Sequence, residues 1–543
     1  MKAWSSQRSS AASGEGGIAA REPGNRERVA LAVVVLLHLA LVVPLAAVLN
    51  VWIDEAYTLR ATGDGLAHAV RQALGFELQP PLYYVVLTLW RGLDDSPFFA
   101  RLFSILCTAS TVVVAGSLAR RYLPGVAPAL VAGVVAFNPL TVFAAVEARF
   151  YAPALLLSAL LLLFFHDGYI AAEPSSTGRR RHAAAAVAAL YTHYLLGFLL
   201  AAGGAALLAL RRLAGLRRYV VAMILAAALF LPLAVTTVRQ AETVGATGVS
   251  ATLSMVGAAG LVWTTAWRQL LPVNQDSPLA VVRRWVSRLA LPSVLLAGLA
   301  SRRQPTAGVL MPMILAAVVS LFFVGVATRL GAEFVRPEHA VSLYLPILLA
   351  GLALLQYVGG ARAATLGTLV SLTFSVPYLL ATYNPPSQLG DWIRVAQYIE
   401  EHESVHEPIL VYKAEFVLAL RYHYAGPNRL IPLPRPTNED RYSLTEQILQ
   451  DQSEISGALS GHLGKARRFW LITSQTQPFR GIDFHPEILE EFVARRCSVL
   501  RDQAFVGSRV RLLEIQPQAE GLGTELQGLR DDQSKAVDAG RPQ

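Results

Sequence analysis

The sequence predicts a polytopic α-helical membrane protein with about eleven transmembrane helices and a C-terminal extracytoplasmic α/β domain. Three observations predict it. Of 543 residues, 54% are hydrophobic and 16% charged, where a soluble domain carries roughly 25% charge. Apolar runs near the length that crosses a bilayer recur up to residue 382 and then stop. Arginine doublets and triplets fall between alternate runs, as cytoplasmic loops require.

The polar, Ser/Gly/Arg-rich segment 1–28 reads as a disordered cytoplasmic tail. The run after it is too long for a signal-peptide core and shows no small-residue cleavage site, so it is expected to stay as the first helix. Spans are expected at 29–50, 98–119, 126–146, 151–166, 183–194, 195–210, 219–238, 286–301, 307–328, 340–358 and 363–382. With the N-terminus inside, Arg120-Arg121, Arg179-Arg180-Arg181, Arg211, Arg212, Arg217, Arg218, Arg302-Arg303 and Arg362 all lie inside. Merging the short pair around Thr192 would invert this distribution, so two segments are expected there. Arg283-Arg284 is the exception among the clusters and lies in an outer loop.

Two outer loops are long, 51–97 and 239–285. The first contains an amphipathic stretch, Ala67–Leu74, and the run Leu82–Trp90, which is too short to cross. The second carries Trp263, Trp267 and Trp285, residues suited to the headgroup layer. From 383 the chain becomes charged. Short β-rich runs at Ile409–Tyr412, Phe469–Thr473 and Val510–Ile515 alternate with helical patterns at Gln388–Glu401 and Thr445–Leu459. This gives an outer α/β domain over 383–517 and a disordered tail over 518–543. Two cysteines, Cys107 and Cys497, make neither a disulfide framework nor a zinc site. The net charge of +9 sits in loop clusters and not along one face, which argues against nucleic acid as a partner.

Polar residues at the outer membrane edge are the candidates for chemistry. Trp52-Ile53-Asp54-Glu55-Ala56-Tyr57 follows the first span directly. Asp54 either caps the next helix or, ionised at neutral pH, accepts a proton from an attacking hydroxyl. Gln79-Pro80-Pro81-Leu82-Tyr83-Tyr84 is a stiff turn that presents Tyr83 and Tyr84 at the interface. Glu147-Ala148-Arg149-Phe150-Tyr151 places an ionisable pair between spans, with Arg149 able to grip a phosphate or merely to orient the turn. Tyr191-Thr192-His193-Tyr194 splits an apolar stretch and must face protein or water. Arg336-Pro337-Glu338-His339 supplies a further basic group on the outer side.

These segments occur in one order, and the chain resembles the polytopic C-type (GT-C) glycosyltransferase superfamily. The likeness is to its dolichyl-phosphate-mannose–protein mannosyltransferase-like and aminoarabinose-transferase-like branch. WIDEAY, QPPLYYVVLTLW, FFARLFSIL, EARFYAPALLL, LYTHYLLGFL and RPEHAVSLYLPIL carry the resemblance, which covers roughly residues 30–400. The chain departs from the usual form at Gln79, commonly His, and at Glu338-His339, commonly Arg-Tyr. The resemblance implies a sugar donor linked to polyprenyl phosphate. The acceptor would be a hydroxyl on a glycan, lipid or protein at the outer face of the cytoplasmic membrane. It assigns Asp54, with Glu55 beside it, to acceptor activation. Arg149 and Arg336 are expected to stabilise the departing phosphate, with Tyr83, Tyr84, His193, Tyr194 and His339 lining the substrate site. One base and a phosphate leaving group imply a single displacement with inversion. No cofactor is expected, although Asp54 and Glu55 together are the place where a divalent cation would sit. The alternative reading is a transporter or flippase of lipid-linked sugars, which would more naturally show internal repeats and a midplane site.

Overall fold

The computed structural model describes residues 24–246, 253–274, 277–300, 306–387, 390–438, 443–465 and 467–516. Both predicted disordered tails fall largely outside these, but the helix begins at Asn25, inside the expected tail. Glu27 in its first turn favours a helix start and holds Arg120 at 2.6 Å.

The first helix, α1 (Asn25–Val48), is followed by three short helices in the long loop expected on the outer side: α2 (Ile53–Ala61), α3 (Leu66–Gly75) and α4 (Leu82–Arg91). The ten residues of α4 span about 15 Å, half of a bilayer core. Then come α5 (Pro97–Tyr122), α6 (Pro128–Ala136), α7 (Pro139–Ala145) and α8 (Tyr151–Phe165), the last extended by a π-helical turn, His166–Ile170. The segments α6 and α7 form one bent pair, turning by 61°. Asn138 and Pro139 cause the bend: proline lacks an N–H and starts a new helix, and the Asn138 side chain accepts from Leu140 N–H at 3.0 Å.

Next are α9 (Ser176–Thr192) and α10 (Gly197–Ala209), separated at His193, whose backbone is extended (φ −157°, ψ 119°). The separation of this stretch into two segments agrees with the arginine distribution. They are followed by α11 (Leu213–Ala246), α12 (Met255–Leu270), α13 (Leu279–Ala300), α14 (Ala307–Leu330) and α15 (Val341–Thr382). The 42 residues of α15 are broken at Gly360, where φ is +71°, into two arms at the two predicted spans. Among the described residues, six helices are long and apolar enough to cross a membrane, or seven with the bent pair counted. Leu36, Ile224, Leu225 and Leu321, each more than 60% exposed, point outward as lipid-facing residues do.

The C-terminal part comprises α16 (Trp392–His402), β1 (Ile409–Tyr412), α17 (Phe416–Arg421), β2 (Leu430–Leu433), α18 (Gln452–Leu459), β3 (Arg468–Ser474), α19 (Pro486–Arg496), β4 (Cys497–Phe505) and β5 (Ser508–Ile515). The strand order is β2-β1-β3-β5-β4, parallel across the first three and antiparallel across the last three. Alternation sends Ile409, Val411, Trp470 and Ile472 to one face and Leu410, Phe469 and Leu471 to the other. The first face shares its core with Trp52, Ile53, Tyr57 and Phe76 of the loop after α1, so the domain is seated on that segment.

Candidate active site

The site is built on one buried ion pair. Arg101, one turn into α5, meets Glu55 of α2 fork to fork, with Nε–Oε1 at 2.7 Å and Nη2–Oε2 at 2.5 Å. The same guanidinium donates to the carbonyls of Ala46, Leu49 and Asn50, closing the C-terminal end of α1, where a cation is favoured. Glu55 Oε1 also accepts the Ala148 N–H at 3.0 Å. The three segments WIDEAY, FFARL and EARFY are thus tied at a single point.

Glu55 is therefore not where its pairing with Asp54 in sequence suggested. It is fully buried, both oxygens are engaged, and it does not line the cavity beside it. Adjacent helix positions point about 100° apart, so Asp54 faces away from Arg101 and into that cavity. Among the described residues, no hydrogen bond ties the Asp54 carboxylate. This division of labour leaves Glu55 unable to share a bridging cation with Asp54.

The cavity has a volume of about 950 Å³. Asp54, Arg149, His193, Tyr194, Arg336 and His339 all line it, so four separate sequence segments converge on one space with the Gln79 turn. Tyr83 and Tyr84 do not line it. They are buried, and Tyr83 packs edge-on against Phe150 with ring centres 6.4 Å apart, behind the wall. The phenols lie inward because α4 turns its Tyr83, Tyr84 and Leu87 face to the protein and not to the headgroup layer.

Arg149 is engaged as well. Its Nη1 donates to Glu77 Oε2 at 2.9 Å, to Thr58 Oγ1 at 2.8 Å and to the Asp54 carbonyl at 2.9 Å. It thus fixes the backbone that carries Asp54. Burial raises the Glu77 carboxyl above its ordinary range, and the Arg149 charge opposes that rise. Glu147, between α7 and α8, is likewise held well above the carboxylate range, by burial and by the nearby charges of Glu55 and Asp54. His193 stacks on Phe150 at 4.9 Å, and Arg336 has Glu338 at 4.0 Å.

Several lining residues were not anticipated. Arg268 ends α12, and Arg283 of α13 is 8% exposed, near enough to Arg268 for their like charges to oppose each other. From the C-terminal domain come Lys413, Glu415 and Arg480. Lys413 and Glu415 form a buried pair at 3.3 Å, and Tyr57 Oη donates to Glu415 Oε2 at 2.9 Å. On the other side of Asp54, the Val51 N–H donates to His423 Nε2 at 2.9 Å. The C-terminal domain therefore grips α2 from both flanks. In all, six cationic side chains against four carboxylates line the cavity, a lining that favours an anion.

No protein-family model matches the chain, and no curated protein does. Among solved structures, the chain is similar to ArnT from Cupriavidus metallidurans bound to undecaprenyl phosphate, at 15% identity and a TM-score of 0.46, covering 89% of this chain and 97% of that one. It is also similar to an oligosaccharyltransferase from Archaeoglobus fulgidus, at 9% identity and a TM-score of 0.45, covering 82% and 68% of the two chains.

Proposed function

We propose that this chain is a membrane glycosyltransferase that moves a sugar from a polyprenyl-phosphate donor to an acceptor hydroxyl, with inversion. The observation that carries the reading is the untethered Asp54 carboxylate in a cavity otherwise dominated by guanidinium groups. The Asp54 carboxylate takes the proton of the acceptor hydroxyl, whose oxygen forms the new bond to the anomeric carbon. The bond from that carbon to the phosphate oxygen breaks, and the phosphate leaves as an anion that needs positive charge and no proton. Arg336, Arg268 and Arg283 stabilise it. Arg149 positions Asp54 through its backbone carbonyl. His193, Tyr194 and His339 contact the sugar or acceptor.

The breaks at Asn138 and His193 border the cavity, but it opens beside the end of α1 and the start of α8, where a transporter site would lie at the midplane, and this favours a transferase over a transporter. The test uses purified full-length protein in lipid nanodiscs with radiolabelled polyprenyl-phosphate sugars. Asp54→Asn should lower product formation by on the order of 10²–10⁴-fold while donor binding persists. Undiminished transfer by this variant would overturn the assignment.

A further inference from the structure

A second cavity, of about 460 Å³, lies between the loop from Gly168 to Arg179 and the turn joining α10 to α11. Its ten lining residues include Arg179, Arg211, Arg212 and Arg218 and no carboxylate. We propose that it binds the phosphate-bearing headgroup of an anionic membrane lipid. The proposal does not depend on the reaction assigned to the Asp54 cavity.

Its place in the fold comes first. The helical span Tyr151–Ile170 begins in the Asp54 cavity and ends at this one. Twenty residues cover about 30 Å, the thickness of a bilayer core. Similarly, α10 follows His193 and Tyr194 of the first cavity and ends beside Arg211 and Arg212. The two cavities therefore sit at opposite membrane edges. The second is on the face that the arginine distribution assigns to the cytoplasm, where anionic headgroups are concentrated.

The cavity is also built, not merely charged. Arg212 Nη1 donates to the carbonyls of Ile170 at 2.8 Å and Tyr169 at 3.3 Å, and Arg179 Nη1 to Pro174 at 3.1 Å. A guanidinium carries five N–H donors, so these bonds orient each group and leave donors for a ligand. Of the two acids at the loop, Asp167 is held by Arg121 at 2.7 and 2.9 Å, and Glu173 is exposed and does not line the cavity. The loop is closed by two glycines: a Cβ at Gly168 would lie 2.9 Å from the Arg179 nitrogen, and one at Gly178 would lie 2.8 Å from the Asp167 carbonyl carbon.

The turn at Arg211 gives a further observation. Arg211 N–H reaches Leu208 O at 3.0 Å and Arg212 N–H reaches Leu207 O at 2.9 Å, the paired bonds of a Schellman helix end. The residue at Arg211 has φ +54°, a position that ordinarily takes glycine because a Cβ is crowded there. Topology alone asks for arginine somewhere in the loop. It does not ask for arginine in the one left-handed position, next to a second arginine on the same cavity. A phosphate held by several guanidinium groups supplies the counter-charge that this arrangement lacks.

The test compares full-length protein in phosphatidylcholine nanodiscs with and without phosphatidylglycerol, read by native mass spectrometry and by thermal unfolding. Wild type should retain phosphatidylglycerol and unfold at a higher temperature in its presence. The double variant Arg211→Gly, Arg218→Gln should weaken retention by on the order of thirtyfold. Glycine relieves the left-handed strain, so the variant should unfold no earlier than wild type in phosphatidylcholine alone. Equal retention of phosphatidylglycerol by variant and wild type would overturn the proposal. Equal stabilisation by inorganic phosphate in phosphatidylcholine discs would also overturn it, in favour of a soluble phosphate ligand.

Discussion

Replacing Glu55 by Gln should unfold the protein's outer edge, whereas replacing its neighbour Asp54 by Asn should leave the fold intact. Glutamine keeps the volume of Glu55 but removes its charge. Arg101, 2% exposed, would then keep its three carbonyl bonds and lose the carboxylate it pairs with. Breaking a buried pair from one side costs about 3–5 kcal/mol, because the remaining charge stays desolvated. The Ala148 N–H would retain an acceptor only if the new amide turned its oxygen toward it, which aims the amide N–H₂ group at Arg101. Thermal unfolding of both variants in the same detergent, with the transfer assay run on each, separates the two roles. Glu55→Gln should lose stability by several kcal/mol, and whatever folded protein remains should transfer sugar. Asp54→Asn should unfold with wild type and transfer sugar on the order of 10²–10⁴-fold more slowly. A Glu55→Gln protein with wild-type stability and no activity would refute the division argued here and return Glu55 to the chemistry.

Two further outcomes follow from the grip of the outer domain on α2. Tyr57→Phe removes a hydrogen bond to the Glu415 carboxylate, a contact of about 1.5–3 kcal/mol, and should speed limited proteolysis of the linker after Tyr383 by at least tenfold. An unchanged cleavage rate would contradict a role in docking. His423 accepts the Val51 N–H as a neutral imidazole, and burial, with the Arg101 charge, holds it down to about 4. An unfolded histidine titrates near 6.5, so this contact is complete above about pH 6.5 and is lost as pH falls toward 4, by up to about 3 kcal/mol. Hydrogen exchange at Val51, followed from pH 7 to 4 in wild type and His423→Gln, checks it; the variant should show the flatter profile, and parallel profiles would refute it.

How far the sequence speaks differs by kind of feature. Helices with long apolar runs were legible because lipid tolerates little else. The arms of α15 show this best: each of the two predicted spans is one helical arm, with the break at Gly360 between them. Strand β1 was legible to the residue, since a parallel strand buried on both faces is apolar throughout. Two strands were not. In β2, Pro432 disguises an edge strand, and β4 is an exposed edge whose residues alternate with no apolar face. The expected helix over Thr445–Leu459 divides into a short turn, Leu444–Gln447, and α18, because Asp451 caps a new start by accepting from Ser453 and Glu454.

At the site, convergence was legible and pairing was not. Asp54, Arg149, His193 and Arg336 were found by polarity at membrane edges, but which charges neutralise one another depends on tertiary contacts. Arg101 lies in the segment FFARLFSIL, and an arginine one turn inside a membrane helix needs a partner, but the sequence does not say which acid supplies it. Arg283-Arg284 gave a clearer signal. It broke the arginine distribution on the outer side, and the structure places Arg283 in the cavity wall. Lys413 and Glu415 carried no signal, because a charged pair in a charged domain is ordinary until the fold brings it over a membrane cavity.

The electrostatics of the cavity follow from that pairing. Glu55 with Arg101, Glu77 with Arg149 and Glu415 with Lys413 are each neutral overall, so they hold backbone in place without adding a net field to the reacting space. Each is buried, and each touches α2 or the segment beside it. The rest of the charged lining is Asp54 together with Arg268, Arg283, Arg336 and Arg480, with Glu338 near Arg336. A base must stay ionised while a phosphate accumulates charge close by, and those demands conflict unless the positive charge is kept apart from the base. Locking Arg149 onto Glu77 serves that separation: the guanidinium nearest the Asp54 backbone is already neutralised, and Arg268, Arg283, Arg336 and Arg480 come from later segments of the chain. The arrangement therefore separates fixing the base from meeting the phosphate, which is why Arg149 and Arg268 are expected to fail differently when replaced, the first in catalytic rate and the second in donor affinity.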